Sequence, residues 1–261
     1  MRHLVTALGS LLLLACGGAG SSAPASQEAT HDDHAAGHPG AEHHPGREHH
    51  RGQGHQHGFS DVERYAAIFD ADDRDAWQMP EEVVARMGIE PGMTVVDLGA
   101  GTGYFLPHLA RAVGPTGCVL ALDVEPNMVT HMQARIREAG WENVRAAVVD
   151  PSEPGLAPHS ADRVLTVDTW HHIEGREAYA SRLATALSGE TPGKLVIVDF
   201  TMDSPFGPPA SMRLTEDAAR AELSAASMSA ETVEEPLPHQ WIVVGTAPAS
   251  DAPRAPSPCE R

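Results

Sequence analysis

Two patterns of apolar residues alternate along the middle of the chain, from about residue 93 to residue 200. Short, nearly continuous apolar runs are separated by longer segments in which apolar residues recur every three or four positions. Strands buried on both faces of a parallel sheet have the first pattern, and helices that cover such a sheet have the second. We therefore expect an α/β fold with helices on both faces of a mostly parallel sheet.

Seven segments fit the strand pattern, and the last two are joined by a short proline-containing link, which predicts an antiparallel pair at one edge of the sheet. The predicted strands are 93–98, 118–123, 143–149, 161–167, 194–200, 229–238 and 240–247. The predicted helices are 61–69, 80–88, 103–113, 125–140, 176–187 and 214–226. Ser60 is the expected N-cap of the first helix, with Glu63 completing a capping box, and Gly140 is the expected end of the fourth.

The chain begins with features of an export signal. Arg2 and His3 precede a short apolar run that ends in Leu-Leu-Ala before Cys16. A basic start and a short apolar run are typical of a secretory signal peptide, here residues 1–16. The final residues resemble a bacterial lipobox, which implies acylation of Cys16 and a lipid-anchored protein on the periplasmic face of the cell envelope. An ordinary cleaved signal and an uncleaved anchor are the alternatives.

The sequences on either side of the predicted domain, residues 59–247, have no apolar pattern. Residues 17–58 are rich in Gly, Ala, Ser, Pro and His, and nine of the sixteen histidines lie between His31 and His57. Such a composition predicts a disordered linker. Its imidazoles can bind transition metals loosely, or the segment can be a plain spacer. Residues 248–261 are expected to form a disordered tail.

Charge and cysteine content exclude several classes of function. The net charge is −18, and residues 59–247 contain 13 Lys and Arg against 29 Asp and Glu. Nucleic-acid-binding proteins need basic surfaces, so a nucleic acid partner is not expected and a small-molecule substrate is favoured. Cys118 and Cys259 have no spacing typical of a disulfide framework or a zinc site. Cys118 is therefore expected to be a small buried apolar residue.

The strongest motif is VVDLGAGTGYF, in which a strand runs into Gly99, Gly101 and Gly103. Glycines allow a tight turn and a close approach of the backbone to a ligand, either a dinucleotide or S-adenosylmethionine. Asp97 lies two residues before the first glycine, and the spacing is G-x-G-x-G. Asp123 ends the next strand, twenty residues after Gly103, where a carboxylate can accept both ribose hydroxyls.

These residues resemble motif I of class I S-adenosylmethionine-dependent methyltransferases. The segment containing FD, Arg74 and WQMP, the signature VDTWHHI and a GPP loop resemble bacterial methyltransferases of a lipoprotein type. The resemblance implies a Rossmann-like seven-stranded domain, S-adenosylmethionine as the cofactor, and an acid facing the adenine amine, with a loop cap as the alternative role for that acid. The implied cofactor-binding residues are Asp97, Gly99, Ala100, Gly101, Thr102, Gly103, Tyr104, Asp123, Val124, Met128 and Asp150.

Candidate residues for the acceptor side follow the fourth strand. His171 or His172 can act as a general base, with Asp168 orienting it, and Trp170 can form a wall of the pocket. Alternatively, one histidine caps the next helix and the other packs. Asp168 and Asp199 also resemble the metal-holding acids of catechol-type O-methyltransferases, but Phe200 stands where that family has an amide, so a metal stays undecided.

The sequence thus predicts a methyltransferase that acts on a small molecule. The alternative is a surface-tethered lipoprotein that binds a metal or a ligand and has a methyltransferase fold without catalytic activity. Export favours this alternative, because S-adenosylmethionine is made in the cytoplasm. The intact glycine loop with Asp123 favours retained cofactor binding.

Overall fold

A seven-stranded sheet lies at the centre of the residues that the computed structural model describes, 61–234 and 236–259. Its strand order is β3-β2-β1-β4-β5-β7-β6, in which β1 to β5 are parallel and β7 is antiparallel to both β5 and β6. The strands are β1 Thr94–Leu98, β2 Cys118–Asp123, β3 Val144–Val148, β4 Arg163–Val167, β5 Lys194–Phe200, β6 Ser229–Val233 and β7 Gln240–Thr246. The predicted fold class, including the antiparallel pair, is confirmed.

Helices cover both faces of the sheet. They are α1 Val62–Phe69, α2 Arg74–Gln78, α3 Pro80–Met87, α4 Leu106–Val113, α5 Pro126–Ala139, α6 Arg176–Leu187 and α7 Glu216–Ala225. One apolar layer joins the sheet to α6 and α7 through Leu183, Leu187 and Leu223. The other joins it to α3, α4 and α5 through residues such as Leu109 and Met132. Both faces of the sheet are covered, so β1 and β5 are almost entirely buried and their middle residues are apolar.

The helix ends follow local chemistry. Helix α5 ends at Gly140, whose φ of 68° is left-handed, as expected for a C-terminal glycine. Helix α1 differs from expectation, because the side chain of Asp61 accepts the hydrogen bond from the backbone N–H of Arg64. Ser60, the expected cap, lies outside the described residues. Helix α4 begins only at Leu106, because residues 101–105 form turns around the glycine loop.

The two edges of the parallel strands have different roles. The strand ends Leu98, Asp123, Val148, Val167 and Phe200 form what we call the carboxyl edge. The opposite ends form the amino edge. In open α/β sheets, ligands bind beyond the carboxyl ends of the strands, so the functional site is expected at the carboxyl edge.

The C-terminal segment lies against the amino edge, so the expectation of a disordered tail is wrong for residues 248–259. The backbone N–H groups of Ser250 and Ala255 donate to the carbonyls of Gly189 and His159. The guanidinium of Arg254 pairs with Asp162, which also accepts from the N–H of Thr94 at 2.7 Å. A composition rich in Pro, Ala and Ser does not reveal these contacts, because each joins residues far apart in sequence.

Cys118 and Cys259 form a disulfide across 141 residues. Cys118 is buried as expected, but the expectation that it takes part in no disulfide is wrong. Cys118 begins β2 at the amino edge, and its partner lies in the C-terminal segment. The bond therefore ties this segment to the sheet. Two cysteines so far apart in sequence carry no spacing signal, and only the fold brings them together.

The predicted signal peptide with Cys16 and the His-rich linker, residues 17–58, lie outside the described residues. Within residues 61–234 and 236–259, no helix is long and apolar enough to cross a membrane.

Candidate active site

The glycine loop takes the conformation that its sequence requires. Gly99, Gly101 and Gly103 all have positive φ, at 74°, 56° and 80°. A Cβ on Gly99 would overlap the side chain of Thr169, and one on Gly103 would lie 2.7 Å from Leu106 Cδ1. Glycine is therefore needed both for the backbone conformation and for close packing at two of these positions.

Two acids of the site lie in adjacent strands beside the loop. The carboxylate of Asp123 accepts from the N–H groups of Gly101 and Glu125, at 2.8 and 2.9 Å. Asp97 is buried, and its Oδ2 has no hydrogen-bond partner. Burial, together with the charge of Asp123, raises the pKa of Asp97 to about 7. An unpartnered buried carboxylate oxygen is suited to a cationic group of a ligand.

Helix α1 and the residues after it lie over the loop. A Cβ on Gly101 would be 3.5 Å from the ring of Phe69. Asp70 accepts from the hydroxyl of Thr102 and from the guanidinium of Arg135 on α5, at 3.1 and 3.3 Å. These contacts connect α1, the loop and α5, so the segment before the sheet forms a cover over the loop.

Arg74 is the buried cation of this cover. Its guanidinium donates to the Phe69 carbonyl and to Gln78 Oε1, and it lies 4.0 Å from the centroid of the Tyr104 ring. Burial lowers its pKa, and the charges of Asp168, Tyr104, Asp70 and Asp97 oppose that effect. The guanidinium therefore interacts with acids on both the loop side and the β4 side of the site.

The remaining expected cofactor residues have different surroundings. Met128 is buried and Val124 is exposed. Asp150 is exposed, and its Oδ1 accepts from the N–H of Ser152 at 2.8 Å and from its hydroxyl at 2.5 Å. These bonds correspond to the loop-cap alternative, while contact between Asp150 and adenine stays a prediction.

Asp168, just beyond β4, is strained and partly buried. Its φ is 51°, in the left-handed region that non-glycine residues seldom adopt. Residues in such strained conformations cluster at functional sites. Its Oδ1 accepts from Gln240 Nε2 at 2.7 Å, and Gln240 Oε1 accepts from Gln78 Nε2 at 2.7 Å. Burial and the nearby charge of Asp199 raise the pKa of Asp168 to about 7.

His171 and Asp199 form a buried pair. His171 Nδ1 lies 2.9 Å from both carboxylate oxygens of Asp199, and the two side chains are 2% and 0% exposed. Because an ionised carboxylate only accepts, Nδ1 carries the hydrogen and Nε2 of the neutral ring is an acceptor. Nε2 is buried without a hydrogen-bond partner. The pair has the arrangement of a general base held by an acid.

The neighbours of His171 have other roles. The ring of His172 is 4.1 Å from that of His171, and the residue is exposed. Trp170 is fully buried in the apolar layer against α6 and α7, and its Nε1 donates to Glu222 at 2.9 Å. The hypothesis that Trp170 forms a wall of the pocket is therefore wrong. The single turn Trp170–His172 directs its residues to different sides.

Comparison with known proteins agrees with this geometry. Residues 95–190 match the family described as "Methyltransferase domain". A demethylmenaquinone methyltransferase from Lactococcus lactis is 33% identical over 85 residues, which are 33% of this chain and 33% of that protein. The crystal structure of an S-adenosylmethionine-dependent methyltransferase from Aquifex aeolicus superposes with a TM-score of 0.66 and 25% identity, over 72% of this chain and 99% of that one. This chain contains a class I methyltransferase domain.

A further solved structure shows the same fold with the cofactor present. Phosphoethanolamine N-methyltransferase 2 of Haemonchus contortus, in complex with S-adenosyl-L-methionine, gives a TM-score of 0.60 at 17% identity, over 75% of this chain and 58% of that one. The chain spans only a third of the length of the Lactococcus relative.

The methyltransferase domain has the donor set that S-adenosylmethionine requires. The unpartnered Oδ2 of Asp97 suits the cationic amino group, and the carboxylate of Asp123 suits the ribose hydroxyls. The glycine loop supplies backbone that no Cβ obstructs. Among residues 61–234 and 236–259, no group of three or more His, Cys, Asp or Glu is arranged to hold a metal ion. Both oxygens of Asp199 instead face His171.

Sequence reasoning missed three polar residues of the site, namely Arg74, Gln78 and Gln240. Arg74 and Gln78 lie on α2, a five-residue helix too short for its periodicity to be detected. The resemblance of the FD, Arg74 and WQMP segment to other methyltransferases was the available signal. Gln240 carried none, because its partners are far away in sequence.

Proposed function

We propose that this chain is an S-adenosylmethionine-dependent methyltransferase that deprotonates a small-molecule acceptor through His171. The observation that carries the proposal is the buried Nε2 of His171, which has no partner while Nδ1 is held by Asp199. His171 follows β4 and Asp199 is the penultimate residue of β5, so the pair lies at the same edge of the sheet as the glycine loop. Neither the fold nor the comparisons support the non-catalytic alternative.

Each part of the site has a role in methyl transfer. S-adenosylmethionine, when bound, supplies an electrophilic methyl group. Asp199 fixes the ring of His171, so that Nε2 can take the proton of an acceptor hydroxyl or thiol. The cover formed by α1 and α2 lies over the glycine loop, where it can shield the bound cofactor from water. The chain Gln78–Gln240–Asp168 connects this cover to the end of β4, which positions the two halves of the site.

A small molecule is the proposed acceptor. An excess of acidic residues disfavours a nucleic acid, whose binding depends on basic surfaces. The relative from Lactococcus lactis is named for demethylmenaquinone, itself a small molecule.

Titration calorimetry with S-adenosylmethionine tests the cofactor site. Asp123→Ala is expected to weaken binding by about 2 kcal/mol, which is roughly thirtyfold, because the charge-assisted hydrogen bonds to the ribose are lost. Asp251→Ala is the control, since Asp251 is an exposed acid in the C-terminal segment at the opposite edge of the sheet. Unchanged affinity in a folded Asp123→Ala protein would remove Asp123 from the site, and no binding to the parent chain would refute the proposed function.

The same titrations at different pH test Asp97. Its raised pKa means that the carboxyl is neutral below about pH 7 and cannot then pair with a cationic amino group. Affinity is therefore expected to fall by up to about tenfold per pH unit below 7. In Asp97→Asn this dependence should be smaller, because no charge is left to titrate. An identical pH profile in both proteins would contradict the role of Asp97.

We also propose that the protein is exported and anchored to the envelope membrane through acylated Cys16. The sequence before Cys16 supports this, and so does the disulfide, because disulfides persist in oxidising compartments. Mass spectrometry of the protein from a bacterial host should show a chain that begins at a lipid-modified Cys16. An intact Met1 would contradict it. Loose binding of transition metals by the histidines of residues 17–58 stays a prediction.

A further inference from the structure

The loop that follows β5 exposes apolar side chains beside the acceptor half of the site. Among the described residues, the six exposed large apolar side chains all belong to segments at the carboxyl edge. Three of them are in this one loop, namely Met202, Phe206 and Met212. Exposed apolar residues that cluster in one place mark a binding surface more often than scattered ones do.

Aromatic rings surround the exposed Phe206. Its ring stacks on that of Trp77 with the centroids 5.0 Å apart and an angle of 14° between the planes. On another side, the ring of His239 meets it edge-on at 5.0 Å. We call Trp77, Phe206 and His239 the aromatic rim. It brings together helix α2, the loop after β5 and the residue before β7, which are distant in sequence.

The loop is held rigidly, although it is exposed. The guanidinium of Arg213 donates to the carbonyls of Thr201, Ser204, Phe206 and Pro208, each at 2.8 Å. Gly207 has a φ of 80°, and a Cβ there would overlap the ring of Phe200. Phe206 is thus fixed in its exposed position, which lowers the entropic cost of binding a ligand against it.

The rim adjoins the segments that form the acceptor half of the site. Trp77 precedes Gln78 in the chain, and His239 precedes Gln240, and these two glutamines form the hydrogen-bonded chain to Asp168. Trp77 also lies 6.4 Å, between ring centroids, from Phe200, the residue after Asp199. Trp77 and His239 of the rim are therefore each followed in sequence by a glutamine of the polar site.

From this placement, we infer that the methyl acceptor is an aromatic molecule with an ionisable hydroxyl, whose ring packs against the aromatic rim. The inference rests on the proposed function, since His171 Nε2 would take the proton of that hydroxyl. The oxygen would gain the methyl group as the carbon–sulfur bond of the cofactor breaks. A rim of rings favours a flat aromatic partner over a saturated one, because ring pairs add stabilisation beyond the area they bury.

Binding of 2-naphthol to the full chain saturated with S-adenosylhomocysteine tests this inference by fluorescence titration. We expect saturable binding, with decahydro-2-naphthol, a saturated alcohol of similar size, binding more weakly. Phe206→Ala should weaken 2-naphthol binding about three- to tenfold, and Phe206→Leu should recover only part of the loss, because leucine restores apolar area without a ring. Val148→Ala is the control, another exposed apolar side chain that lies outside the rim, on β3.

Each outcome separates the inference from the proposed function. Equal binding of the saturated alcohol, or an unchanged affinity in Phe206→Ala, overturns the aromatic acceptor, and so does the absence of binding by a chain that still binds S-adenosylhomocysteine. Failure to bind S-adenosylhomocysteine refutes the proposed function instead.

A second arm presents 2-naphthol dissolved in phosphatidylcholine vesicles. Binding only from buffer indicates a water-borne acceptor, and binding from vesicles as well indicates one that a membrane can supply. Both results support the aromatic class.

Discussion

Replacing His171 by alanine is expected to lower turnover by about 10²–10⁴-fold while S-adenosylmethionine still binds. The reason is that Nδ1 of the ring is held by Asp199, so the unpartnered Nε2 is the nitrogen that can accept a proton. Asp199→Asn should have an effect in the same direction, because an amide can hold the ring in the wrong tautomer. Transfer of labelled methyl from S-adenosylmethionine to an acceptor found by screening hydroxylated aromatic compounds measures the effect.

His172 provides the matched control for this experiment. It is adjacent to His171, of the same chemistry, and exposed. His172→Ala should therefore keep turnover within a few-fold of the parent. The reverse result, with loss in His172→Ala and none in His171→Ala, would show that His172 is the base and contradict the assignment to His171. Near-parental turnover in both variants would mean that the acceptor needs no protein base.

The conformation and placement of the proposed cofactor residues were predictable because their signal is local. Gly99, Gly101 and Gly103 form the expected tight turn with positive φ, and Asp97 and Asp123 lie at or next to the ends of adjacent strands. A strand followed by a tight turn and a helix is specified within a dozen residues. The apolar pattern along the chain likewise predicted the alternation of strands and helices from β1 to β5.

The acceptor half was less predictable because its contacts are long-range. Gln78 pairs with Gln240 across 162 residues, and Phe206 stacks on Trp77, which also lies more than a hundred residues away in sequence. Periodicity describes which face of an element is buried, but not which distant side chain it meets. The choice between His171 and His172 also depended on tertiary structure, since only the position of Asp199 distinguishes two adjacent histidines.

The Cys118–Cys259 disulfide is the other feature with a large expected effect. It closes a loop of 141 residues, so it removes much of the conformational freedom of the unfolded chain. Its loss in Cys118→Ala/Cys259→Ala is expected to lower the free energy of unfolding by about 2–5 kcal/mol. For a domain of this size, the melting temperature should fall by roughly 5–15 °C.

Reductant gives a matched test of the same bond, because it should lower the melting temperature of the parent and leave that of Cys118→Ala/Cys259→Ala unchanged. Arg254→Ala is a control for the rest of the C-terminal segment, and the partly exposed pair with Asp162 is expected to contribute at most about 1 kcal/mol.

Peptide mapping after alkylation should find Cys118 and Cys259 joined in protein that has been exported and free in protein retained in the cytoplasm. Because the bond can form only where oxidants reach it, a parent chain that melts at the same temperature with and without reductant would contradict both the stabilising role of the disulfide and its use as support for export.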